Sequence, residues 1–168
     1  MPSAFARISV NAVDGSPDLT KLFLSVRPLE VDLGIEKVKI ACTVRKVTDP
    51  CATVGVYAAG AITYFSGRSA VDFLGKSDAV IAHEPAKAPT AFLQYYGFLP
   101  GHLKHDYAYS FGKLRPDIVG EYVLYPEEAK PYLSQGYRRV WVGEQGFYCL
   151  TNSPHIRWEK ILASSTPP

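Results

Sequence analysis

The 168-residue chain has no C-x-x-C pair, and its three cysteines, Cys42, Cys51 and Cys149, are too few and too scattered for a disulfide framework. The lack of C-x-x-C also argues against a cysteine-built zinc site. No window reaches the roughly 18 consecutive apolar residues that cross a bilayer as a helix. The opening "MPSAFARISVNAVDG" has no apolar core behind a positive start, so it does not read as a signal peptide. No run of Lys and Arg exceeds two residues and the net charge is +2, which removes the electrostatic footprint of a nucleic-acid surface. Missing too are the G-x-S-x-G elbow of a hydrolase, the H-E-x-x-H of a zinc protease and a complete G-x-G-x-x-G.

What is present suits one globular domain. Hydrophobic residues make up 47% and charged residues 20%, too apolar for disorder. A chain of this size can bury roughly 70% of its unfolded surface without metal or disulfide staples. The pattern predicts an N-terminal linker or helix over 1–30, one α/β domain over 31–162 and a disordered tail over 163–168.

Ser16, Pro17 and Asp18 read as a helix start. Val31, Ile35, Val38 and Cys42 then recur on one helical face, up to Asp49-Pro50. "ATVGVYAA" reads as a buried strand, "AITYF" as a single helical turn and "SAVDFL" as a second strand. "KSDAVIAH" reads as a short helix capped by Ser77 or Asp78. Residues 84–101 form a long connection rich in proline and aromatics. "HLKHDYAYSFGKL" is expected to be helical, "PDIVGEYVLY" a strand, and "PEEAKPYLSQGY" a helix kinked at Pro131 unless that residue falls in the first turn. "RRVWVGEQGFYCLT" reads as a hairpin about Glu144–Gly146, and "SPHIRWEKIL" as a last helical turn. The order predicts a mainly parallel sheet with helices on both faces, a Rossmann-like three-layer arrangement, ending in a C-terminal hairpin.

These residues offer four chemistries in outline. A strand, Gly60 and a helix resemble a dinucleotide-binding entry, but Asp72 is only 12 residues on, short of the usual ~20. His102 and His105, three apart with Asp106 beside them, present possible metal ligands, opposed by Lys104. Ser66 lacks an identified base, which leaves it in a turn. Asp72 and Asp78 pair as carboxylates for acid–base work, against the plainer reading that Asp72 binds loop N–H groups and Asp78 caps a helix. No catalytic set, metal or cofactor is predicted. The polar cluster Arg68, Asp72, Asp78, His102, Lys104 and Asp106 is left as the candidate site.

The stretch "AAGAITYFSGRSAVDFLGKSDAVIA", with the later "PGHLKHD" and "RPDIV", also resembles a known family. It is similar to the soluble C-terminal domain of many-spanning glycosyltransferases that draw a sugar from a polyprenyl-phosphate carrier, the arabinofuranosyl- and mannosyltransferase-like proteins. The matching residues include Gly60, Ile62, Tyr64, Gly67, Arg68, Asp72, Gly75 and Asp78, then His102, Lys104, Asp106 and Asp117. The resemblance covers roughly residues 31–151, and the membrane part of those enzymes has no counterpart in it. It implies a non-catalytic, extracytoplasmic domain that binds or orients a glycan or lipid-linked glycan acceptor beside a membrane-embedded transferase portion; a free-standing chain would be cytoplasmic. On this reading Arg68, Asp72 and Asp78 share one edge with His102, Lys104 and Asp106, and Tyr64 or Tyr95 stacks on a sugar ring. The competing expectations are a structural module without a ligand, docked through residues 92–99, and a small enzyme built on Asp72 and His102.

Overall fold

A computed structural model describes residues 29–57, 60–87, 102–120 and 123–164. The expected helix near Ser16, the aromatic residues 92–99 and Tyr95 lie outside them. The chain divides into two compact units, 1–37 and 38–168. Of the first, the described part is the opening of helix α1 (Leu29–Val47), where Val31, Leu33 and Ile35 are exposed.

The second unit is an α/β domain. Strands β1 (Thr53–Val56), β2 (Ser69–Asp72), β3 (Ile118–Gly120), β4 (Tyr137–Val142) and β5 (Gln145–Leu150) form one sheet in the order β2-β1-β3-β5-β4. The first three are parallel, and β5 and β4 join antiparallel. The hairpin is the expected one, with Gly143 left-handed in its turn. Its second strand, not its first, lies against β3. Short helices α2 (Ala61–Ser66) and α3 (Ala79–His83), a π-helical segment Ala108–Leu114, α4 (Pro126–Gly136) and α5 (Trp158–Ser164) complete the fold.

Neighbouring residues of β3 show the layering. Ile118 belongs to a cluster with Val44 and Val47 of α1, Val54 and Val56 of β1 and Ile161 of α5. Val119 belongs to a second cluster with Phe73, Phe111 of the π-helical segment and Leu133 of α4. Alternate side chains of a strand point to opposite faces, so the sheet is covered on both sides. This is the predicted three-layer α/β architecture.

Some elements differ from their sequence reading. Strand β3 is shorter than "PDIVGEYVLY" allowed. Pro131 sits inside α4, beyond its first turn, but on an exposed face. Its ring removes only the bond to the Glu127 carbonyl, which helix packing through Ala129 and Leu133 outweighs. The segment after His102 becomes regular only at Ala108, and it ends at Arg115 in the left-handed region. The three cysteines are free; Cys149 lies in the core, where burial pushes its thiol up to about 12.

The first and last parts of this unit are tied by His155 and Asp49. The imidazole Nδ1 lies 2.9 Å from Asp49 Oδ2, and the Asp49 N–H donates to the His155 carbonyl at 3.0 Å. The hydrogen bond to Asp49 raises the His155 pKa above 6.5, and its counterpart lowers Asp49 below 3.8. A raised histidine contributes stability fully below its unfolded value, which is lost as pH rises through the folded one. A lowered aspartate contributes above its unfolded value, and that is lost on acidification. The tie is therefore strongest between about pH 4 and 6.5. Thermal unfolding of His155→Gln should show its largest deficit against wild type in that window. The deficit should shrink above it; a deficit independent of pH would assign His155 a packing role only.

Candidate functional site

The residues singled out in the sequence fall into separate places. Asp72 ends β2, and its buried carboxylate accepts the N–H of Leu74 at 2.9 Å and both the N–H and hydroxyl of Ser77. Asp78 caps α3 by accepting from the N–H groups of Val80 and Ile81. Between them Gly75 has φ +68, and a Cβ there would lie 2.7 Å from the Ala82 nitrogen. The loop thus closes on α3 only with glycine at that point. Lys104 Nζ donates to the Ala82 carbonyl at 2.6 Å. Asp106 accepts from the Tyr109 N–H, starting the π-helical segment. Burial, then the charge and hydrogen bond of Asp78, raise the Tyr109 phenol, which places Asp78 beside the same segment. The backbone carbonyl of His102 accepts the Tyr125 hydroxyl.

Arg68 departs from the expected grouping. It precedes β2 while Asp72 ends it, so the two stand at opposite ends of one strand. Arg68 is 9% exposed, and its guanidinium is turned onto the end of α1. Nε donates to the Thr48 hydroxyl at 3.0 Å, and the two terminal nitrogens donate to the carbonyls of Arg45, Thr48, Ser66 and Gly67. All five N–H groups face acceptors, so this side chain caps a helix. Tyr64 is 80% exposed on α2 and meets Phe65 edge-on. The predicted single edge of Arg68, Asp72 and Asp78 is therefore two sites. The carboxylates do loop and cap work because short polar side chains next to free N–H groups satisfy them locally.

His105, set aside in the sequence as a possible metal ligand, is the most buried histidine, at 2% exposure. Its ring stacks on Tyr125 at 3.9 Å, and Nε2 lies 3.0 Å from the Glu128 carboxylate. Tyr107 packs beside it and bonds Tyr57 through the two hydroxyls at 2.7 Å. Burial pushes the Tyr107 phenol well above its usual range. Among the described residues no group of three His, Cys, Asp or Glu side chains is arranged to hold a metal ion.

A sizeable concavity lies elsewhere, on the antiparallel half of the sheet. It is a groove of about 840 Å³ between α4 and the β4–β5 hairpin. Tyr137, Arg139 and Tyr148 form its floor, Pro126, Glu127, Lys130, Leu133 and Ser134 its α4 side, and Val123 lines it from just before that helix. Arg139 stands directly opposite Tyr148 in the register of the two strands. Its guanidinium also lies over the Trp141 ring, at 5.2 Å. The Tyr137 hydroxyl donates to the Pro116 carbonyl at 2.8 Å, which fixes that ring. Burial raises its phenol, so it stays a neutral donor across the physiological range. Such a volume lies within the ~300–1,000 Å³ of small-ligand sites, and the floor combines apolar ring faces with hydrogen-bonding ends.

A family model for a domain of unknown function, DUF8728, matches residues 30–161. The chain belongs to the DUF8728 family. The matched span contains the whole sheet, the Asp72–Asp78 loop and the groove. Neither the curated proteins nor the solved structures include a match to this DUF8728 chain.

The groove residues were missed because each looks ordinary alone. The signal was in "YRRVWV": Val140 and Val142 alternate with Tyr137, Arg139 and Trp141. One face of β4 is core; the other carries aromatic and cationic groups, the pattern of a half-open surface. No helix of the described residues is long and apolar enough to cross a membrane.

Proposed function

We propose that this DUF8728 domain is a non-catalytic carbohydrate-binding module that binds or orients a glycan in the groove between α4 and the β4–β5 hairpin. One observation carries the reading: a floor of two tyrosines and an arginine, rimmed by Glu127, Lys130 and Ser134. A sugar ring has apolar faces and a polar edge. Tyrosine ring faces suit the first, and charged side chains that both donate and accept suit the second. The polar residues of the "GR…D…GxxD" stretch play no direct part in this reading, since Arg68, Asp72 and Asp78 are engaged in loop closure and capping.

The resemblance of that stretch to the soluble domains of lipid-linked-sugar glycosyltransferases supports a wider setting. In it the module sits on the extracytoplasmic side, beside a membrane-embedded transferase portion, and holds the acceptor glycan. A second reading, a docking module without a glycan, is favoured by the exposed pair Tyr64 and Phe65.

Titration of the purified domain with a panel of soluble glycans, followed by amide NMR shifts, tests the first reading. Shifts are expected at Tyr137, Arg139 and Tyr148. Tyr148→Ala should weaken binding about tenfold with an unchanged fold, an aromatic contact being worth about 0.5–1.5 kcal/mol. No saturable shifts with any glycan would remove the carbohydrate reading and leave the docking one.

A further inference from the structure

His105 joins an unusual set of constraints. The residue is 2% exposed, and among the described residues its Nδ1 is buried without a hydrogen-bond partner. Its Nε2 faces the Glu128 carboxylate at 3.0 Å. A carboxylate only accepts, so Nε2 carries the proton and Nδ1 is a bare lone pair against apolar surroundings. The ring is held flat on Tyr125, the N-cap residue just before α4, and Glu128 lies in the first turn of that helix. Pro126, Glu127 and Lys130, from the same part of α4, line the groove.

We propose that His105 is an acid-sensitive latch that holds the first turn of α4, and with it one wall of the groove. A second proton must go to Nδ1, where it creates a buried cation with one N–H unsatisfied. The charged groups facing the ring do not settle the matter in its favour. Glu128 from α4 and Asp106 from the same segment favour the imidazolium. Lys87, 3.2 Å from Glu128, opposes it, and Tyr107 and Tyr125 stay neutral. Burial dominates and lowers the His105 pKa. Protons are then taken up more readily by conformers in which the ring has left Tyr125 and met water. Those conformers release Tyr125 and Glu128 together. The effect on ligand binding rests on the groove reading above; the latch itself does not.

The test is an NMR titration of the full chain from pH 7.5 to 5, a range in which the carboxylates remain ionised. Imidazole nitrogen shifts should show His105 neutral with Nε2 protonated at pH 7.5, and titrating below the ordinary histidine value. Hydrogen-exchange protection of the Ala129 and Lys130 amides, the first to be bonded in α4, corrected for intrinsic rates, should fall about tenfold over the same range. Amides of β1 and β5 should keep theirs. In His105→Gln, protection in that turn should no longer depend on pH. Protonation of His105 with α4 protection unchanged would overturn the latch, as would the same acid-induced loss in the glutamine variant. Should that variant fail to fold, the wild-type titration decides alone. A domain that loosens α4 on acidification but binds no glycan at either pH keeps the latch and rejects the carbohydrate reading.

Discussion

Replacing Gly55 by valine is expected to destabilise the domain by about 4 kcal/mol or more. Gly55 is the buried third residue of β1, which pairs with β2 on one side and β3 on the other. A Cβ built there would lie 2.4 Å from Phe73 Cζ and 2.8 Å from Val119 Cγ2. Both are deep in the second core cluster, where Phe73 is already in contact with the rings of Tyr57, Tyr107 and Phe111. Neither neighbour reaches solvent, Phe73 being 0% and Val119 1% exposed. Overpacking by added carbons typically costs about 1–3 kcal/mol and occasionally more, and valine adds three. Against a usual total of about 5–15 kcal/mol, a cost of about 4 kcal/mol or more removes much of the stability. Urea denaturation measures it. Gly55→Ala should be milder, about 2–3 kcal/mol. A Gly55→Val midpoint within experimental error of wild type would mean that Phe73 can move, and that the second core cluster is looser than its packing indicates.

The second large effect is expected at Arg68. Replacement by alanine should cost about 3 kcal/mol or more, a sum over several hydrogen bonds each worth roughly 0.5–1.5 kcal/mol net, or more for a charged donor. The cost arises because four carbonyls and the Thr48 hydroxyl lose their donor together, and the bonds to the Ser66 and Thr48 carbonyls are buried from the water that would replace it at a fully open helix end. Thr48 itself is completely buried and donates to the Val44 carbonyl, so its remaining lone pairs depend on Arg68. Lysine should recover little, since one ammonium cannot present five donors in a plane. The variant separates two assignments of the same residue. A structural arginine predicts lowered stability with unchanged glycan affinity in the folded fraction, because the groove lies on another part of the sheet. An arginine in contact with ligand predicts the reverse: normal stability and lost binding.

The arrangement of elements was legible because it depends on local periodicity. "ATVGVYAA", "SAVDFL" and the hairpin about Glu144 announce strands by β-branched runs and by the turn residues between them. The short helix after Asp78 is announced by its cap. The same locality explains why Asp72 and Asp78 were readable as loop and cap residues: their partners lie within five residues along the chain. Arg68 was not readable in this way, since it bonds Arg45 and Thr48, more than 19 residues earlier. Charge and position near a glycine made it resemble a ligand residue; only the docking of β2 beside α1 shows which carbonyls it faces.

By itself, then, the sequence determined the alternation of helices and strands, the parallel start and antiparallel end of the sheet, and the caps that punctuate it. Each of these follows from contacts within a few residues, so spacing carries the information. The tertiary structure alone decided that β5 and not β4 lies against β3, and that Arg68 and Asp72 part to opposite ends of β2. It also decided that His105 is sealed between Tyr125 and Glu128, and that Tyr137, Arg139 and Tyr148 meet α4 across an open groove. These depend on pairings between segments far apart in the chain. The free energy of burying apolar faces sets such pairings, and no local window contains both partners.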